Sequence, residues 1–167
     1  MRIELIGFQV DATRELAANF QDAFTAYSRR QKEQALALSA PTGSGKTMIA
    51  AAFIEQVLFG GGGVPGDEAF VFLWLTDQPQ LNEQTARKIR DASSIDPDRI
   101  VIIDESFTDD YLQPGRLYFL NTQKLGANSS LVMTGGARNC SLWEALNNTI
   151  TAIRSTLCSS STKPIAG

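Results

Sequence analysis

Leu38-Ser39-Ala40-Pro41-Thr42-Gly43-Ser44-Gly45-Lys46-Thr47 decides how this chain is read. A short apolar segment, 35–39, leads into it, and an Ala-rich helical stretch from Lys46 to Phe59 leads out of it. Strand, glycine loop and helix in that order are the context a phosphate-binding loop requires. Gly43 and Gly45 let the backbone curl so that successive N–H groups point inward, where the positive end of the following helix already favours an anion. Lys46 is then placed to reach the β- and γ-phosphates of a nucleoside triphosphate. Thr47 offers its hydroxyl to Mg²⁺, an ion that keeps several waters and takes few protein ligands. The candidate contacts are therefore Thr42, Gly43, Ser44, Gly45, Lys46 and Thr47, with Thr47 also the metal contact and ATP and Mg²⁺ the expected ligands. A glycine-rich turn with no ligand is the alternative, and it does not account for the agreement of strand, loop and helix.

The length, 167 residues, suits one α/β domain with a real core and is short for two. Net charge is −3 with 20% charged residues, which lacks the basic balance of an autonomous nucleic-acid binder. Any nucleic-acid surface must be local or incomplete. No apolar run approaches the roughly 18 residues of a membrane span, and Met1-Arg2-Ile3-Glu4 has no signal-peptide core. A cytoplasmic protein without membrane contact is expected. Cys140 and Cys158 have no metal-ligand spacing and fit a reducing compartment. The chain has no histidine, so His-based triads and metal sites are excluded.

Working outward, Leu16, Phe20, Ala23, Phe24 and Tyr27 recur at helical spacing behind a possible cap at Asp11, which predicts a helix over about 11–32. Segment 35–39 reads as a short buried strand. Gly60-Gly61-Gly62-Gly63 ends the helix that follows the loop and opens a turn running through Pro65-Gly66. Phe70-Val71-Phe72-Leu73-Trp74-Leu75 is continuously apolar and predicts a strand, 69–75, buried on both faces of a parallel sheet. A helix from Pro79 to about Asp91, strands over 99–103 and 116–120, and a helix over 141–153 complete the pattern. Alternating strands and helices predict a mostly parallel sheet with helices on both faces. Residues 154–167 show neither periodicity and read as a disordered tail.

With the glycine loop followed by Leu73-Trp74-Leu75-Thr76-Asp77-Gln78-Pro79-Gln80-Leu81-Asn82-Glu83-Gln84-Thr85, the chain resembles superfamily 2 DNA translocases, specifically the restriction subunit of type III restriction enzymes. The resemblance covers most of 3–150. It includes Ala40, which stands where the strict loop pattern has glycine and which the helicase-like branch tolerates. The resemblance implies an incomplete RecA-like P-loop domain over 1–153, the N-terminal part of a motor. Phe8-Gln9 resembles the glutamine element that reads adenine, since a carboxamide donates and accepts at once; a glutamine on a helix surface is the competing reading. Thr76, Gln78, Asn82, Gln84 and Thr85 resemble the motif Ia segment, which grips a nucleic-acid phosphate through hydroxyl and backbone donors. An ordinary strand-to-helix loop is the alternative there. Asn121, Thr122 and Gln123, within Tyr118-Phe119-Leu120-Asn121-Thr122-Gln123-Lys124-Leu125, resemble a further DNA-contacting exit. The implied partners are DNA and the modification (methyltransferase) subunit of a restriction system.

One departure limits what the resemblance carries. Hydrolysis in this family uses an Asp-Glu-Ala-His strand, which supplies a Mg²⁺-binding Asp and a water-positioning Glu and comes after the helix that ends near Ile153. The chain does not contain it. Val101-Ile102-Ile103-Asp104-Glu105 is a tempting substitute, but it comes too early and Ser106 replaces the expected Ala. Taken at face value, Asp104 and Glu105 would make this a small self-contained P-loop ATPase or phosphotransferase; otherwise they are solvated carboxylates at a strand end. The tail suggests an origin for the departure. Residues 152–167 can be written in synonymous codons that, one frame over, read Asp-Pro-Glu-His-Phe-Val-Leu-Val-Ile-Asp-Glu-Ala-His-Arg-Gly. A single-base deletion near the codon of Ala152 is the expected cause, with 154–167 an out-of-frame tail. The expectation that follows is a fragment that binds nucleotide weakly, does not turn it over, and carries unpaired sheet edges near 35–39. A non-catalytic remnant that pairs with another chain is the remaining alternative.

Overall fold

Three apolar segments pair as a parallel sheet, with helices packed on both of its faces. The computed structural model describes residues 1–126, 129–133 and 139–160, with 153–160 described by their backbone. The strands are β1 (Phe72–Thr76), β2 (Ile100–Ile102) and β3 (Leu117–Asn121), in the order β1-β3-β2. Phe72 pairs with Leu117 and Thr76 with Asn121, while Ile100 also faces Leu117 across the other ladder. The helices are α1 (Gly7–Arg30), α2 (Lys46–Phe59), α3 (Pro79–Ala92) and α4 (Leu142–Ser160), with short 3₁₀ turns at Pro97–Arg99 and Thr122–Leu125. The chain is thus an α/β fold of the RecA-like kind in partial form.

Strand alternation sends side chains to two cores. On one face, Phe72, Trp74, Ile100, Ile102, Leu117 and Phe119 meet Ala51, Ile54 and Leu58 of α2 and Ala86 and Ile89 of α3. On the other, Val101, Ile103, Tyr118 and Leu120 meet Leu112, Leu131 and the α4 residues Leu142 and Leu146. Helices therefore cover both faces, as the pattern implied. β3 is buried along its whole length because strands flank both its edges and side chains cover both its faces. Its Tyr118 keeps its hydroxyl inside by accepting the Gln113 N–H at 2.8 Å, and burial raises that phenol above its usual range. α1 packs on the outer side of α2, where Phe20 and Phe24 stack on each other, Phe20 meets Phe53 and Phe70 edge-on, and Phe24 meets Phe70 edge-on.

Several sequence expectations are corrected. α1 begins at Gly7 rather than near Asp11, so Phe8 and Gln9 lie in its first turn; Asp11 pairs with Arg14 inside the helix at 2.9 Å. Segment 35–39 is not a strand and is largely exposed. Among the described residues no strand pairs with it, so no ladder satisfies its backbone groups. β1 is shorter than 69–75 and is buried on one face only. Leu73 and Leu75 are 36% and 55% exposed, because β1 is an edge strand and α4 covers the neighbouring strands rather than β1 on that side. The backbone of α4 continues to Ser160, past the expected end at Ile153. Residues 161–167 of the expected tail lie outside the described residues.

The start of α4 is set by Ser141 and Glu144 in a capping box. The Glu144 carboxylate accepts from the Ser141 N–H at 2.7 Å and from its hydroxyl at 2.9 Å, and the Glu144 N–H donates to Ser141 Oγ at 3.3 Å. These bonds hold the Glu144 carboxyl below the usual carboxylate range, with the backbone bond the larger cause. A lowered folded-state value means a contribution that is present above the unfolded pKa of about 4.3 and is lost as pH falls through the folded value. Thermal melts of wild type and Glu144→Gln across pH 3–7 should therefore separate at neutral pH and converge at the acid end; parallel curves would remove the ionised cap. In the core, Ile89→Ala should cost about 2–5 kcal/mol in urea unfolding, since Ile89 has no exposed surface.

Candidate nucleotide site

The glycine loop leaves the exposed segment 35–39 and turns directly into α2. Gly43 and Gly45 adopt φ of 84° and 83°, a left-handed conformation that side-chain-bearing residues rarely take, and Gly45 is the N-cap of α2. The loop closes with the Ser44 N–H donating to Pro41 O at 3.2 Å. Lys46 folds back over it, its Nζ donating to Ala40 O at 2.7 Å and Pro41 O at 2.9 Å. Among the described residues the buried Ser44 Oγ has no hydrogen-bond partner. A loop with two left-handed glycines, a helix N-terminus behind it, a lysine bonded to carbonyls of its own loop and an orphan hydroxyl fits an anion of phosphate type. Thr47 is half-buried in the first turn of α2.

Gln9 is brought to this loop from far away in sequence. Its Nε2 donates to Ser44 O at 2.9 Å and its Oε1 accepts from the Ile6 N–H at 3.2 Å. A Cβ on Gly45 would collide with Gln9 Nε2, so the absence of a side chain at Gly45 serves the carboxamide as well as the turn. In front of the loop lies an open cleft of about 620 Å³, walled by Thr42, Gly43, Gly45, Lys46, Thr47 and Met48 on one side and by Ile3, Lys88, Asp91 and Ala92 on the other.

A second polar cluster forms where β1 and β3 end side by side. Thr76 Oγ1 lies 2.9 Å from Asn82 Oδ1 and 3.0 Å from Gln78 O, and its single proton serves one of them at a time. The Thr122 hydroxyl donates to Thr76 O at 3.3 Å, and Asn121 Oδ1 accepts the Gln123 N–H at 2.8 Å. Thr76, Gln78, Asn82, Asn121, Thr122 and Gln123 are thus gathered together, while Gln84 and Thr85 sit further along α3. Asn82 and Asn121 are only 2% and 3% exposed. Asn82 is a partner of the Thr76 hydroxyl and Asn121 accepts the Gln123 N–H, and neither presents its side chain to solvent.

A family model described as type III restriction enzyme, res subunit, matches residues 2–153. The chain belongs to that family. It corresponds to an ATP-binding, helicase-like region of the res-subunit type. No curated protein and no solved structure matches the chain. Among the described residues no helix is long and apolar enough to cross a membrane.

Within this res-subunit chain, Asp104 and Glu105 stand apart from the cleft. They follow β2, the strand at the opposite edge of the sheet from β1, and neither lines the cleft before the glycine loop. Asp104 Oδ1 accepts from Ser106 N–H at 2.8 Å and from its hydroxyl at 2.6 Å, an ordinary side-chain-stabilised turn. Sequence reasoning missed Ile3, Lys88 and Asp91, because only packing brings them before the loop; the one available signal was that Lys88 and Asp91 are three residues apart in a helix and share a face. Gly45→Ala should destabilise the chain by about 1–2 kcal/mol from the left-handed backbone alone. Gly45→Ala with Gln9→Ala should cost less than the sum of the two singles, because the collision is relieved; strict additivity in denaturant unfolding would show that Gln9 does not rest on Gly45.

Proposed function

We propose that this chain is the ATP-binding part of a DNA translocase of the res-subunit type, with the glycine loop as its Walker A element. The observation that carries the reading is the loop itself, with its two left-handed glycines, its helix N-terminus, its self-bonded lysine and the orphan Ser44 hydroxyl. Backbone N–H groups of 42–47 hold the polyphosphate, and Ser44 Oγ gains the partner it lacks. Lys46 exchanges the carbonyls of Ala40 and Pro41 for phosphate oxygens, a stronger charge-assisted bond. Thr47 would hold Mg²⁺ through its hydroxyl, and the ion would supply neutralisation of phosphate charge when bound. Gln9 reads the adenine edge, and to do so it gives up its bond to Ser44 O. Loop closure and base recognition are thereby linked through one carbonyl.

Thr76, Gln78, Thr122 and Gln123 form the DNA-facing patch, supported by the buried Asn82 and Asn121 and extended along α3 by Gln84 and Thr85. Hydroxyls, carboxamides and backbone donors suit sequence-independent contact with phosphates, which positions a strand without reading bases. The low overall charge of the chain agrees with a patch that contributes only part of a DNA interface. In this reading the modification subunit of a restriction system is the protein partner, and it reads the DNA sequence.

Titration calorimetry of the chain with ATP and Mg²⁺ tests the nucleotide reading. Wild type should bind, and Lys46→Ala should weaken binding at least about tenfold, the scale of one lost charge-assisted hydrogen bond. Equal binding by both proteins, or none by wild type, would sink it.

A further inference from the structure

The wall of the cleft opposite the glycine loop has no assigned role, and it carries one cation and one anion. Lys88 and Asp91 are exposed on α3, and among the described residues neither makes a hydrogen bond or ion pair. They stand three residues apart, about 4.5 Å along the helix axis, on one face. The end of α3 is held in place by its neighbours: Ala92 O accepts the N–H groups of Arg2 at 2.8 Å and Ile3 at 3.2 Å, and the Ser94 N–H donates to the α2 residue Glu55 at 2.8 Å. These bonds fix Ile3 beside Ala92 and Asp91. Moving along α3 away from Lys88, the wall therefore passes from a lysine to a carboxylate and then to an apolar side chain.

That order matches the chemistry of a nucleoside triphosphate whose phosphates sit on the glycine loop. A carboxylate beside a polyphosphate is repelled, whereas a lysine is attracted. A carboxylate beside a ribose accepts both hydroxyls, and the exposed Ile3, with Met48 across the cleft, gives a base an apolar surface. We propose that α3 is a nucleotide-recognition element, with Lys88 contacting the polyphosphate and Asp91 accepting the ribose hydroxyls, so that the site prefers ribonucleotides. This rests on the glycine loop being the phosphate site. It also gives α3 two ends with different work, since Gln78 and Asn82 at its start belong to the strand-end cluster and Lys88 and Asp91 to the cleft.

The test compares ATP with 2′,3′-dideoxy-ATP, both with Mg²⁺, by calorimetry on the full chain. The proteins are wild type, Lys46→Ala, Lys88→Gln and Asp91→Asn, each checked by circular dichroism and thermal melting. Wild type should prefer ATP by about tenfold, the scale of hydrogen bonds to a charged group. Asp91→Asn should reduce that preference while leaving dideoxy-ATP binding nearly unchanged. Lys88→Gln should weaken both ligands alike. If wild type binds and Lys46→Ala does not, yet the α3 variants match wild type on both ligands, the phosphate site stands and the α3 proposal is overturned. If wild type binds neither ligand, both readings fall. A melting loss in Asp91→Asn with unchanged discrimination per folded molecule also counts against the proposal.

Discussion

Burial of β3 from every side is the constraint on which the rest of this structure depends. Leu117 to Asn121 has a strand on each edge and a core on each face, so its neighbours have little freedom of register. A one-residue slip of β1 would send Phe72 and Trp74 away from α2 and α3 and carry Leu73 and Leu75 into that core. The same register sets Thr76 beside Asn121, and the polar cluster at the strand ends follows from it. Asn82 and Asn121 then consume donors and acceptors of that cluster internally, which stiffens the place where the two strands leave the sheet.

The glycine loop is positioned by helices more than by strands. α2 packs its small residues Ala51 and Ala52 inward, which allows close approach of its neighbours, and α1 closes over its other side. Gln9 reaches Ser44 because α1 starts early enough to put it in the first turn, and Lys88 and Asp91 reach the cleft because the end of α3 is tied to Arg2 and Ile3 through Ala92 O and to Glu55 through the Ser94 N–H. Three elements separated in sequence therefore converge on one loop. The exposed edge of β1 lies on the opposite account: Leu73 and Leu75 are apolar, lie on a strand with one free edge, and are the most adhesive surface among the described strands.

Much of this was legible in the chain, and the legible parts share a cause. α2, α3 and the glycine turn after Phe59 were marked by local chemistry: a glycine loop, a proline at the first turn and a run of four glycines. The order of strands and helices was legible from apolar period. The start of α1 was not, because Ile6 has no capping side chain and the helix is stabilised there by Gln9 accepting the Ile6 N–H instead. Burial of the run 70–75 was misjudged because an apolar sequence reports what a strand can tolerate on each face, whereas exposure depends on whether an element arrives to cover it. The strand expected over 35–39 failed for the same reason, since a strand exists only with a ladder partner.

By itself the sequence determined the glycine loop and the helix it opens, the class of fold and the family, because each rests on short-range rules: glycines at left-handed positions, a lysine and a threonine at a helix start, and the period of apolar residues. Tertiary structure alone decided which distant side chains share a cavity. It placed Lys88, Asp91 and Ile3 before the glycine loop, set Asp104 and Glu105 away from it, and turned Asn82 and Asn121 inward. The reason is physical: backbone preference acts over a few residues, but the company a side chain keeps is set by which faces of which helices the sheet requires to be buried.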